Sequence, residues 1–437
     1  MIEQAFNSFY KESISKCFVI EQQTGIIKHL THLEELILTR QKEGLNIAIQ
    51  FINALSDSFN SNVDSGVTTT VKYDGAPAII CGYNPENNKF FVGLKSADAK
   101  VPKIAYTVQD VQLNYGQNPG LAEKMKLALL YLPKVIKDNI YQCDFMFDKA
   151  TLKEIEFQGE KLIAFKPNTV TYAVEANSEL GNRVKNAQIG VVFHTRYTGK
   201  SLQELSKSAD VNVSEFNQVP EVWFDDAKFK DVSGIATLTD DEKSNIEELL
   251  KSIQKTSNVM DWASLPSSVY ALINIFINTL IRQYKFVDDP EESFNSFIEW
   301  YNIRLDKEIK KIENEKIEIE KSDDSRKEAK IKRKDAQIAN KTEAKNKAIQ
   351  FINANKMSMV NIFNLTKKIA EIKKIFINKY SAAIKTKQFL AQPDGTLKVT
   401  PGEGFVAIDK SGNMVKLIDR LEFSRANWAV SKEEKFK

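Results

Sequence analysis

Apolar residues near the start of the chain recur at helical spacing. Leu33, Leu36 and Ile37 are followed by Ile47, Phe51 and Leu55, which predicts helix within residues 1–62. From Thr68 the period changes. Short β-branched and aromatic runs ("TTTVKYDG", "PAIICGY", "KFFVGLKS", "IYQCDFMF", "EIEFQGEKLIAFKP", "GVVFHTRY") are separated by Asn-Pro, Asn-Asn and Gln-Gly turns and predict strands. One helix, residues 120–136, interrupts them. After about residue 200 the strand signals thin out, and Thr239 and Glu242 stand at capping-box spacing before a helix. From 293 to about 390 almost everything reads as helix. The charge-dense arm at 303–347 suits a solvated helix or an antiparallel coiled coil. Strand texture returns at "PDGTLKVTPGEGFVAIDKSGNMVKLIDR". The expected architecture is α+β: a helical segment at 1–62, a β domain begun at 63–200, a helical insertion at 201–390 and final strands at 391–437. "AIQFINA" occurs at 48–54 and 348–354 with unlike flanks, too little for a repeat architecture.

Composition narrows the class without naming a chemistry. Among 437 residues, 42% are apolar and 27% charged, as in folded globular proteins rather than disordered ones. A net charge of +3 announces no nucleic-acid binder by itself. Cys17, Cys81 and Cys143 are far apart, without metal-ligand or redox spacing, which predicts reduced thiols. The N-terminal stretch has no basic region followed by an apolar core, so no signal peptide is expected. The longest apolar run, 269–281, contains Asn274 and Asn278 and holds 13 residues, too few to cross a bilayer. The expectation is a soluble, cytoplasmic monomer with no membrane partner.

Candidate chemistry begins at Lys72-Tyr73-Asp74-Gly75, at the end of a β-branched run. A hairpin turn with Lys72 in solvent would account for the tetrad alone. The chemical alternative makes Lys72 a nucleophile, with Asp74 orienting a substrate and Gly75 allowing close backbone approach. Further along, "FFVGLKS" ends with Lys95 and Ser96, and Asp144 sits in the aromatic run "YQCDFMF". Glu403 and Gly404 precede an apolar strand, and Lys416 follows in "MVKLIDRLEFSRANW".

In this order the elements resemble the covalent nucleotidyltransferases, which comprise ATP-dependent DNA and RNA ligases and mRNA capping enzymes. The matching pieces are "KYDG", "CDFMF", "EGFV" and "VKL". More narrowly, "KYDGAPAI", "FFVGLKS", "PNTVTYAV" and "VKLIDRLEFSRANW" look like a family of tailed-bacteriophage proteins with ligase-like motifs. The resemblance covers roughly residues 65–200 and 395–430. It implies an antiparallel-sheet nucleotidyltransferase domain in which Lys72 attacks the α-phosphate of ATP and holds AMP as a phosphoramidate. Mg²⁺ and lysines would neutralise the phosphates. The resemblance makes Glu403 a metal-binding or lysine-poising carboxylate and Asp144 a metal or ribose contact. Lys416 and Lys95 become holders of the triphosphate. Phe165 could stack on adenine with Lys166 beside it, or could simply be core. Pro77 stands where many ligases carry arginine, Asp144 replaces a commoner glutamate, and no OB-fold follows Lys416, since 21 residues remain. "QIGVVFH" is a rival to the "EGFV" element but lacks the acid.

Taken together, the resemblance implies an ATP-dependent polynucleotide ligase joining 5′-phosphate and 3′-hydroxyl ends of DNA or RNA. The alternatives are a capping-type transferase or a non-catalytic nucleic-acid-binding protein. The helical part adds a basic signal. Residues 321–347 hold ten Lys/Arg against five Asp/Glu. Lys367, Lys368, Lys373 and Lys374 interleave with Ile369, Ile372 and Ile375, a pattern that suits either a phosphate-backbone contact or a solvated face. His29 and His32 lie three apart without an assignable third ligand. No Gly-x-x-x-x-Gly-Lys-Ser/Thr loop is present, which argues against a P-loop NTPase.

Overall fold

The β-prone runs of the first half pair with strands that follow the long helices. The computed structural model describes residues 30–59, 65–99, 101–208, 211–229, 237–383, 387–391, 397–399 and 404–423. Three sheets occur among them. The first has the order β1 (Thr31–His32), β16 (Met414–Leu417), β15 (Phe405–Asp409), β2 (Val67–Val71). The second runs β11 (Ser206–Ser208), β10 (Ile189–Thr198), β6 (Ile140–Asp148), β3 (Ala78–Tyr83), β4 (Phe90–Gly93), β5 (Ile104–Ala105), with β12 (Val222–Asp226) also on β10. The third runs β14 (Leu397–Val399), β13 (Lys387–Ala391), β9 (Val170–Glu175), β8 (Glu160–Phe165), β7 (Lys153–Phe157). Parallel pairing is confined to β1 with β16 and β12 with β10 among the described strands. The protein is therefore α+β with mainly antiparallel sheets.

The second sheet is covered on both faces. On one side Ile79, Cys81, Phe145, Val191 and Phe193 pack with Met125 and Leu132, from and just after α3 (Pro119–Tyr131), and with Val111 of α2 (Val108–Tyr115). On the other, Met146, Phe147, Val192 and Trp223 meet Phe165 and Tyr172 of the third sheet and Val184 of α4 (Glu179–Asn186). Strand periodicity sorts β6 accordingly: Tyr141, Cys143 and Phe145 face the first core, so Gln142 and Asp144 point the opposite way.

The chain divides into two units. One comprises Leu33–Gln50 and Ser244–Ile372, and contains most of the helices; the other includes Phe51–Lys243 and the chain from Lys373, with the three sheets. In the helical unit, α6 (Ser267–Arg282) buries Val269, Tyr270, Ile273, Phe276 and Ile277, as its continuous apolar run predicts. Among the described residues no helix is long and apolar enough to cross a membrane. The charged arm is a helical hairpin of α7 (Pro290–Lys321) and α8 (Lys327–Ala354). Lys316–Asp335 and Lys334–Glu315 (both 2.6 Å), Lys341–Glu308 (3.0 Å) and Lys345–Asp306 join its helices. From Asp306 with Lys345, through Glu308 with Lys341, to Glu315 with Lys334, the partner number falls as the first rises, so the helices are antiparallel.

Two boundaries differ from the sequence reading. The first long helix, α1 (Leu36–Ser58), is not a separate segment, because its part up to Gln50 belongs with the helical unit. Residues 201–243 belong with the sheets, because β11 and β12 both pair with β10. The short run "VWFDD" lacks alternation, and its pairing comes from a partner strand more than twenty residues upstream. α2 and α4 are too short for a clear period, yet Thr107 with Asp110 forms a capping box and Ser178 caps Gly181.

Candidate functional site

The motif Lys72 to Gly75 crosses from the first sheet to the second, and each residue meets a different neighbour. Lys72 directly follows β2, and its N–H donates to Gly404 O at 2.8 Å. Gly404 has φ +121°, and a Cβ there would stand 2.4 Å from Leu417 O. Glycine is thus required where β15 begins beside β16. Tyr73 goes into the aromatic core, its ring centroid 5.7 Å from that of Tyr172. Burial, then Asp225 and Asp226, push its phenol well above the usual range.

Asp74 is buried and fully engaged by the chain between β8 and β9. One carboxylate oxygen accepts from Asn168 Nδ2 at 2.7 Å, and the other from the N–H groups of Thr169 (2.6 Å) and Val170 (2.9 Å). Its own N–H donates to Tyr172 Oη at 2.7 Å. The segment "PNTVTYAV" is therefore the clamp of the lysine loop. Asp74 thus ties the loop that carries Lys72 to this segment through both carboxylate oxygens. A Cβ on Gly75 would lie 2.4 Å from Asp144 Cβ, so only glycine lets the loop press against β6 at this point.

A cavity of about 390 Å³ opens beside the loop. Lys72, Asp74 and Gly75 line it with Thr70 of β2, Val406 and Ile408 of β15, and Lys416 of β16. From the second sheet come Gln142 and Asp144 of β6, His194, Thr195 and Tyr197 of β10, and Lys207 of β11, with Lys95 beyond β4. The lysine, the second carboxylate and the two more distant lysines singled out in the sequence thus surround one space.

His194 stands at a strand end in the sequence, where it could contact a phosphate or be a satisfied polar residue, whereas Thr195, Gln142, Tyr197 and Lys207 carry no local signal. Register shifts in the β10–β6 pair between Phe193 and Thr195 bring two successive residues, His194 and Thr195, to the cavity. Simple alternation would supply only one. Gln142 accepts from Tyr197 Oη at 2.8 Å, and His194 Nδ1 lies 2.8 Å from Thr195 Oγ1. Its Nε2 is 4.0 Å from Asp144 Oδ1. Burial, then Lys72, lower the His194 pKa from 6.5 to about 4, so at neutral pH the imidazole is uncharged and that approach is no ion pair.

The sign of the linkage follows. Between pH 6.5 and about 4 the unfolded chain takes up a proton at His194 that the native state refuses. Stability therefore falls through this window as the pH drops, by up to about 3 kcal/mol from this group. Thermal melts of wild type and His194→Gln at pH 7.5 and 4.5 should show a smaller acid loss in the variant. Equal losses would contradict the assignment.

Four expectations need correction or fall elsewhere. Phe165 is 3% exposed, stacked on Tyr172 at 5.7 Å and tilted against Trp223 at 6.3 Å, so it is core and not part of the cavity wall. Lys166 is exposed and does not line the cavity. Glu403 lies outside the described residues. The basic helix α9 (Lys356–Ala382) offers no shared cationic stripe through its four named lysines. Lys367 faces Glu371 at 3.7 Å, Lys368 donates to Ser252 Oγ, Lys373 is 4% exposed, and Lys374 is exposed. Among the described residues no group of three or more His, Cys, Asp or Glu could hold a metal ion. Asp144 fits a divalent cation that takes most of its ligands from substrate phosphates and water.

Fold and site together define an α+β protein with a lysine-lined cavity between two sheets. The chain belongs to a family of unknown function, DUF6267, whose profile matches residues 27–335 and 319–432. No curated protein and no solved structure matches it.

Proposed function

We propose that the protein is a lysine nucleotidyltransferase that uses ATP, most specifically a polynucleotide ligase. The observation that carries this reading is the convergence of Lys72, Lys95, Lys207 and Lys416 with Asp144 around one cavity. With Lys72 as the nucleophile, Lys95, Lys207 and Lys416 suit a triphosphate, whose charge must be neutralised before the amine can approach phosphorus. The clamped loop supports the choice of Lys72 as nucleophile, since group transfer needs a rigidly held attacking atom.

In the first step the Lys72 ammonium releases a proton to water. Its Nζ then bonds to the α-phosphorus of ATP as the bond to the β-phosphate oxygen breaks, and pyrophosphate leaves. Asp144 and the phosphate oxygens would hold Mg²⁺, which supplies charge neutralisation when bound. Lys416 and Lys95 hold the triphosphate. In the second step a 5′-phosphate oxygen attacks the AMP phosphorus, the N–P bond breaks, and Lys72 regains its amine. A 3′-hydroxyl oxygen then bonds to the phosphorus of the activated 5′-phosphate, its proton passing to water, as the bond to AMP breaks and AMP leaves.

Nicked DNA, RNA and hybrid duplexes with a labelled 5′-phosphate test the acceptor. Joined product with ATP and Mg²⁺, reduced at least about a hundredfold in Lys416→Ala, is expected. Transfer of nucleotide to a 5′-diphosphate RNA end without joining would replace the ligase by a capping-type transferase.

A further inference from the structure

The lysines of the cavity answer phosphates and leave a nucleobase unread, so its neutral polar groups carry the remaining information. Gln142 of β6 lines the cavity and is 8% exposed. Strand alternation turns it away from Tyr141 and Cys143, which pack in the core on the other face. Tyr197 Oη, also on the cavity wall, donates to Gln142 Oε1 at 2.8 Å. That bond fixes which end of the amide is oxygen. The amide nitrogen at the other end has no acceptor among the described residues. Nor is it one of the partnerless polar atoms sealed inside the protein, so it meets the open space of the cavity. A nine-tenths-buried side chain thus offers N–H donors there, an arrangement that costs free energy until something accepts from them.

We propose that Gln142, held by Tyr197, is a specificity-determining residue that reads the nucleobase of the bound nucleotide and selects adenine over guanine. The proposal rests on the nucleotidyltransferase reading for the presence of a nucleotide and on this geometry for the place of its base. Gln142 stands two residues from Asp144 on the same face of β6, roughly 7 Å along the strand. Asp144 is where Gly75 of the lysine loop presses in, so a phosphate at Lys72 and a base at Gln142 are about one ribose apart. Beside Lys72, Lys95, Lys207 and Lys416, a neutral amide adds little to the binding of phosphate. What it adds is direction, with one donor and one acceptor side by side. Adenine presents the complement on two edges, an N6 donor next to either N7 or N1 as acceptor. The amide nitrogen donates to the ring nitrogen, and the second lone pair of Oε1 accepts from N6. Guanine offers two acceptors at N7 and O6, which sets O6 against Oε1. Its N1–H and O6 need the amide reversed, and the Tyr197 bond opposes reversal.

The test is titration calorimetry of the full chain with the α,β-methylene analogues of ATP and GTP, which cannot transfer a nucleotide. Tripolyphosphate is the base-free control. Wild type is expected to bind the adenine analogue at least about tenfold more tightly than the guanine analogue. In Gln142→Met the preference should fall below about threefold through weaker binding of the adenine analogue, with tripolyphosphate affinity unchanged. Tyr197→Phe keeps the ring but releases the amide, so its preference should fall through tighter binding of the guanine analogue. A merely structural Gln142 would weaken all three ligands alike. Thermal melts first establish that each variant is folded; if Gln142→Met is not, Tyr197→Phe decides. No adenine preference in wild type, or the full preference kept in the deciding variant, overturns the assignment. Because the analogues are read without turnover, a Gln142-dependent preference in a protein that forms no adduct would keep the base-reading role and remove the transferase reading. An adduct formed by a wild type without base preference would do the reverse.

Discussion

Asp74→Ala is expected to lower the unfolding free energy by about 3–5 kcal/mol, because it strands buried donors rather than merely removing a charge. The Thr169 and Val170 N–H groups both bond to one oxygen of this carboxylate, and Asn168 Nδ2 bonds to the other. Thr169 and Val170 are buried, so alanine leaves their donors facing a void. Asparagine is the informative second variant. It keeps the volume and one acceptor but turns an NH₂ toward a donor, so its loss should lie between wild type and alanine. Urea unfolding measures both. A loss under about 1 kcal/mol for alanine would mean that the clamp contributes little. The same variants should slow any chemistry at Lys72, two residues earlier, through misplacement of the amine.

The sequence made the lysine loop legible because it is contiguous and its residue types are restrictive. Lys95, Asp144 and Lys416 were reachable because each lies at a strand end or at an alternate position of an aromatic strand. Position 144 shows the physical basis: the period of two that buries Tyr141, Cys143 and Phe145 must turn Asp144 away from them. Phe165 shows the limit of the same reasoning. Strand spacing gives the face of β8 but not what covers it, and Tyr172 and Trp223 cover it. The β10 irregularity at His194 and Thr195 and the pairing of β12 depend on contacts between distant segments, which no local pattern encodes. Asp74 is the instructive intermediate. Its residue type was legible, but its role became clear only with the partners that saturate it.

Lys72→Ala carries the largest expected effect on activity. If Lys72 Nζ is the atom that becomes bonded to AMP, no conservative neighbour can replace it. Lys95, Lys207 and Lys416 share the cavity, but they lie outside the loop that Asp74 fixes to the β8–β9 connection. Nucleotidylation should fall by at least about a thousandfold, with the fold intact, because Lys72 is partly exposed and its backbone bond to Gly404 does not depend on its side chain. A variant that still formed the adduct would move the nucleophile to another residue.

The most direct measurement of the central claim is intact mass and peptide mapping after incubation with Mg²⁺ and ATP or GTP labelled at the α-phosphate. The protein is first stripped with pyrophosphate, and Lys72→Ala is run alongside. A nucleoside-monophosphate adduct on the peptide containing Lys72, absent from the variant and reversed by pyrophosphate, is the predicted result. No adduct with either nucleotide would contradict the account and leave a binding protein with a cationic cavity.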